Sequence, residues 1–88
     1  KPKVYIPDFY LPESGIYVEA KGFFSPADRQ KMLLVIKDNP LLDIRMLFLR
    51  ASNKLNRSSK TTYGSWCDRH TILWADGFIP EEWFKEQT

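Results

Sequence analysis

Residues 25–40 carry the signals for both ends of a helix, so the rest of the chain must be arranged on either side of it. Ser25 is a favourable N-cap, Pro26 suits the first helical position, and Asp28 stands where a capping-box acid belongs. Met32, Leu33 and Ile36 form an apolar stripe, and Asn39-Pro40 ends the pattern. Before the helix, Lys3-Val4-Tyr5-Ile6 has the β-branched and aromatic content of a strand, stopped by Pro7. Leu11-Pro12-Glu13-Ser14-Gly15 reads as a turn, and Ile16-Tyr17-Val18-Glu19-Ala20-Lys21 as a second strand closed by Gly22. The two runs are expected to pair as an antiparallel hairpin.

After the helix, residues 44–49 read as a buried strand and the polar stretch 51–61 as a loop. Residues 63–70 suit a short helix with Tyr63, Trp66 and Cys67 on one face, and residues 72–74 a short strand. Pro80-Glu81-Glu82-Trp83-Phe84 begins a last helix, with proline at N1 and acids in the first turn. The order ββαβαβα implies an α/β fold, a small mixed β-sheet flanked by helices, in one domain over residues 1–88.

The chain has 88 residues, of which 43% are hydrophobic and 15% aromatic, enough for a small core. Its single cysteine, Cys67, excludes an internal disulfide and a cysteine-built zinc site, which fits a reducing, intracellular setting. No apolar run approaches the roughly 20 residues that span a bilayer, and no signal peptide is apparent, so no membrane partner is expected.

The chemistry-bearing pattern is Pro7-Asp8 followed by Glu19-Ala20-Lys21. On a strand, residues i and i+2 share a face, so Glu19 and Lys21 project together while Ala20 points away. A hairpin brings Asp8 beside them, and two carboxylates and an ammonium converge. Two carboxylates with waters can hold magnesium, and a lysine can stabilise charge on a phosphoryl oxygen. Glu-x-Lys is usually a solvated strand face, and on the order of one chain in a hundred this long shows the pattern by chance. The motif alone is therefore weak, and its place on a hairpin strengthens it.

Between residues 50 and 60 the bases Arg50, Lys54, Arg57 and Lys60 occur with no acid among them, within a chain of net charge +2. Such a cluster is either a solvated loop or a phosphate-binding one, helped by the hydroxyls of Ser58, Ser59 and Thr61. Cys67 and His70 lie three residues apart, but two ligands do not make a zinc site. Cys67 reads as a small core residue and His70 as a helix-end residue. Trp66, Trp74 and Trp83 could stack on bases, but their spacing favours packing in so small a core.

Pro7-Asp8-Phe9, Leu11-Pro12, Gly15 and Val18-Glu19-Ala20-Lys21-Gly22 together resemble the active-site hairpin of the phage endonuclease I family, the Holliday-junction resolvases of T-seven-like phages. The similarity continues through Asp28-Arg29, Leu33-Leu34, Leu42-Asp43-Ile44-Arg45, Lys54-Leu55, Tyr63-Gly64, Cys67, Ala75-Asp76 and Ile79-Pro80-Glu81-Glu82-Trp83. It implies a restriction-endonuclease-like fold with a Pro-Asp…Glu-x-Lys core and catalytic roles for Asp8, Glu19 and Lys21. It implies magnesium, replaceable by manganese, held by Asp8, Glu19 and the carbonyl of Ala20. It favours Lys54, and Arg57 in place of a lysine, as DNA contacts; Lys60 stands where the family has no base, so Ser59, Lys60 and Thr61 are DNA-contact candidates from the basic stretch alone. The implied activity is hydrolysis of branched or four-way-junction DNA by a domain-swapped homodimer. A mismatch-nicking or homing endonuclease domain, or a non-cleaving DNA-binding fragment, is the alternative. The resemblance also places a further catalytic glutamate on a helix upstream of the hairpin. The chain starts at Lys1 without a methionine and reaches the hairpin almost at once, so these residues are expected to be the nuclease core without that helix.

Overall fold

The computed structural model describes residues 4–85. Seven elements follow the expected order: β1 (Phe9–Leu11), β2 (Ile16–Lys21), α1 (Pro26–Asp38), β3 (Asp43–Phe48), α2 (Tyr63–Arg69), β4 (Trp74–Asp76) and α3 (Glu81–Lys85). The four strands form one sheet in the order β1-β2-β3-β4. β1 pairs antiparallel with β2, whereas β2 with β3 and β3 with β4 pair parallel. The two parallel pairs are joined by α1 and α2, as parallel strands require a crossover. The sheet is thus mixed and flanked by helices.

Alternation along the strands feeds two cores. Ile44, Met46 and Phe48 of β3 point to one face and pack with Phe24, with Met32 of α1, and with Tyr63, Trp66 and Cys67 of α2. Ile16 and Val18 of β2, Leu11 of β1 and Ala75 of β4 point to the other, where Trp83 of α3 covers them. The three tryptophans serve this packing, with Trp66 and Trp83 buried and Trp74 half-buried against the first core. Cys67 is fully buried, and His70 caps the end of α2 on the surface. The Arg45 guanidinium grips Asp43 through two bonds of 2.9 Å and lies 5.1 Å from the Trp83 ring centre, so this buried cation belongs to the fold.

Helix α1 begins as its residues dictate. The Ser25 hydroxyl accepts from the Asp28 N–H at 3.0 Å and the Asp28 carboxylate accepts from the Ser25 N–H at 3.1 Å, closing the capping box. Asn39 is its C-cap.

Two strands lie away from their expected places. Residues 4–7 form no strand (Lys3 lies outside the described residues), and β1 begins only after Pro7. Continuing the β1–β2 register back by two residues would set Pro7 opposite Ala20, where the ladder needs an N–H that proline lacks. β4 starts at Trp74 rather than at residue 72. The Ile72 N–H is instead bonded to the Cys67 carbonyl at 2.8 Å and the Thr71 N–H to the Asp68 carbonyl at 3.2 Å, with Thr71 at φ 59°. This is a Schellman close of α2 carried by a threonine, and it uses the backbone that a strand would need. The remaining ends shift by a single residue: β3 runs from Asp43 to Phe48, α2 stops at Arg69, and α3 starts at Glu81. No helix among the described residues is long and apolar enough to cross a membrane.

Candidate active site

Asp8 sits at the bend just before β1, and its Oδ2 accepts the Ala20 N–H at 2.9 Å. The orientation of Ala20 follows from the ladders. The Lys21 carbonyl accepts from the Leu49 N–H at 3.1 Å, so Lys21 turns its backbone towards β3 and Ala20 turns its own towards β1. There Pro7 leaves the ladder without a donor, and the Asp8 side chain takes the Ala20 N–H in place of a backbone carbonyl. The Ala20 carbonyl therefore faces the same edge as the Asp8 carboxylate with no ladder partner.

Glu19 and Lys21 share the opposite side-chain face of β2 from Ala20, the face that carries Tyr17 and looks towards α1. Glu19 is 7% exposed. Its Oε1 accepts from the Tyr5 hydroxyl at 3.0 Å. Burial raises the Glu19 pKa above the ordinary 4.5; the Tyr5 bond opposes this, the Asp8 charge adds to it, and Lys21 and Lys31 pull it down without cancelling it. A buried carboxylate whose charge is disfavoured in part by a neighbouring carboxylate is a natural seat for a cation.

The Lys21 ammonium lies 3.3 Å from Asp28 Oδ1, on the first turn of α1. Burial alone would raise the Asp28 pKa, but bonds from Ser25 and the Lys21 cation outweigh it and hold the carboxyl below its usual range. One acid thus caps α1 with one oxygen and holds Lys21 with the other. Lysine has three N–H donors, so two remain for a ligand.

Asp8, Glu19, Ala20 and Lys21 are therefore brought together. The basic loop is not joined to them. It leaves β3 at the same end of the parallel strands as Lys21 and closes on itself through a bridge between Lys54 and Thr62 and a bond from the Leu55 N–H to the Thr61 carbonyl at 2.9 Å. The side chains of Lys54, Arg57 and Lys60 are exposed and make no hydrogen bond or ion pair among the described residues. The Ser59 hydroxyl accepts from the Thr61 N–H at 3.0 Å, and the Thr61 hydroxyl accepts from Arg69 at 3.3 Å. Those two side chains hold the loop's shape as well as facing out of it.

Two residues of the site carry no functional signal in the sequence: their spacing marks Asp28 only as a helix cap and Tyr5 only as a strand residue. No spacing rule reveals either, because each reaches the site through tertiary contact.

Among the described residues no three or more His, Cys, Asp or Glu side chains gather to hold a metal. The donor set is two carboxylates with a backbone carbonyl beside them. Asp8 Oδ1 and Glu19 Oε2 accept no hydrogen bond among the described residues. Hard oxygen donors, few in number, suit magnesium, which keeps several waters, and lack the histidine and cysteine ligands that zinc sites favour.

The sequence model of the family described as phage endonuclease I matches residues 1–88. Endonuclease I of Escherichia phage T7 is 49% identical over 82 residues, covering 93% of this chain and 54% of that protein. Endodeoxyribonuclease 1 of Enterobacteria phage T3 is 47% identical over 83 residues, covering 94% and 54% respectively. The chain spans about half the length of these curated relatives. With the family model matching from end to end and relatives near half-identical, the chain belongs to the phage endonuclease I family.

Proposed function

We propose that this chain is the core of a magnesium-dependent DNA endonuclease that hydrolyses a phosphodiester bond in branched DNA, as a Holliday-junction resolvase does. The observation that carries the reading is the Asp8–Ala20 contact. It sets one carboxylate against the strand that bears Glu19 and Lys21, and leaves the Ala20 carbonyl on the same edge. The names of the phage relatives, an endonuclease and an endodeoxyribonuclease, support the reaction class.

Asp8, Glu19 and the Ala20 carbonyl would hold the ion, and manganese would fit the same oxygens. Bound there, it would supply Lewis-acid stabilisation of the charge that develops on the phosphoryl oxygens. Lys21, aimed by Asp28, offers its free N–H groups to a phosphoryl oxygen or to the attacking water. Glu19, with little solvent around it, keeps that charge in a setting of low polarity where such interactions are strong. Lys54, Arg57 and Lys60, with Ser59 and Thr61 beside them, would bind backbone phosphates, which position a duplex without reading its sequence. Exposed Val4, Ile6, Phe9 and Tyr10 lie on or near the edge strand β1, which supports assembly into the proposed homodimer.

The test is a panel of four-way junction, flap, mismatch and linear duplex DNA given to the full-length protein with magnesium. Preferred incision of the junction supports the reading. Equal cutting of mismatch and junction moves the assignment to a mismatch-nicking enzyme on the same core.

A further inference from the structure

The segment ahead of β1 does more than deliver Asp8. Although residues 4–7 pair with no strand, they alternate: Val4 and Ile6 face solvent and Tyr5 turns inward. The Tyr5 ring packs against Tyr17 with centroids 6.3 Å apart, and Tyr17 packs in turn against Tyr10 at 4.8 Å. Tyr17 and Glu19 are two residues apart on one strand and share a face. A ring seated on Tyr17 therefore brings its hydroxyl over Glu19, and the bond to Oε1 at 3.0 Å is the result.

From this we infer that Tyr5 is a positioning residue for Glu19, holding one carboxylate oxygen so that the other faces the metal ion. The inference rests on the metal reading above. Glu19 reaches the site through several rotatable bonds, and among the described residues Tyr5 is the one donor to its carboxylate. The arrangement repeats what happens at Asp8, where the Ala20 N–H takes Oδ2 and leaves Oδ1. Each carboxylate is thus pinned by one donor and presents one oxygen. Tyr5 and Asp8 lie three residues apart with Pro7 between them, so one short, stiffened segment supplies both a ligand and the clamp on the other ligand. Outer partners of this kind orient ligands, and losing one weakens metal affinity or activity by about 10–100-fold.

The experiment is calorimetric titration of manganese alone, at fixed neutral pH, into the full-length protein, Tyr5→Phe, Glu19→Gln and the double variant. Tyr5→Phe keeps the ring and removes only the hydroxyl. The expected result is manganese binding weakened about tenfold or more, with the folded circular dichroism spectrum and the junction affinity in EDTA unchanged. The double variant should bind manganese no more weakly than Glu19→Gln alone, because Tyr5 acts through Glu19. Wild-type affinity in Tyr5→Phe, with Glu19→Gln impaired, overturns the inference and leaves the metal reading standing. Losses that add in the double variant overturn it too, by showing that Tyr5 acts elsewhere. Wild-type affinity in Glu19→Gln removes the metal reading itself, and the inference with it.

Discussion

Glu19 is a charge kept where charge is costly, and the cost can be measured. In the metal-free protein it is 7% exposed, and the Tyr5 hydroxyl is its one donor among the described residues. Burial first, and then the Asp8 charge, raise its pKa above the ordinary 4.5. The folded protein therefore binds the Glu19 proton more tightly than the unfolded chain does. The associated stability is complete below the unfolded value and is lost as pH rises through the folded one. At neutral pH, Glu19→Gln keeps the shape and the acceptor for Tyr5 but removes the charge. Relief of this kind at functional sites is worth about 1 kcal/mol, or roughly 4–8 °C in a domain of this size. The assay is thermal unfolding of the full-length protein by circular dichroism in EDTA from pH 4 to 7.5. Glu19→Gln should melt above wild type at pH 7 and level with it near pH 4. Manganese at a hundred times its Kd should then add about 2.7 kcal/mol to wild type and almost nothing to the variant, reversing the order. A variant that melts below wild type in EDTA at pH 7, or a gap that ignores pH, refutes the reasoning.

Three further outcomes follow from other parts of the molecule. A Cβ at Gly64 on α2 would lie 2.6 Å from Trp74 Cζ2, and the indole is tied to Asp68 by a 2.8 Å bond. Overpacking should therefore outweigh the gain in helix propensity, and Gly64→Ala should lose about 1 kcal/mol in urea unfolding; wild-type stability would contradict this. Lys54→Ala with Arg57→Ala should weaken binding to junction and duplex alike and lower the slope of log K against log salt by roughly 0.9 per lost contact; an unchanged slope returns the loop to solvation. Burial, with a smaller push from Asp68, raises the Cys67 thiol to about 12, so Ellman's reagent at pH 8 should modify it only after unfolding; rapid modification of the native protein contradicts its burial.

Much of this architecture is legible where the signal is local. The capping box of Ser25 and Asp28 and the strand Ile16–Lys21 lie where the sequence reading puts them, because each is decided by neighbours along the chain. β1 is misread because Val4, Tyr5 and Ile6 have good strand composition, while pairing depends on what stands across the ladder from Pro7. β4 is misread because the Ile72 N–H satisfies a carbonyl at the end of α2, which composition does not report. The same division holds at the site. Asp8, Glu19 and Lys21 follow from strand period and hairpin spacing. The second roles of Asp28 and Tyr5 depend on how α1 and the segment before β1 approach β2, and only the folded arrangement reveals them.

The central claim is that Asp8 and Glu19, with the edge of β2, make a metal-dependent nuclease site. It is tested most directly by incision of a four-way junction by the full-length protein and by Asp8→Asn, in magnesium, in calcium and in EDTA. Wild type should incise the junction in magnesium and not in EDTA. Asp8→Asn should not incise it, while its junction binding in calcium is retained. Incision by wild type in EDTA, or by Asp8→Asn at the wild-type rate in magnesium, would contradict it.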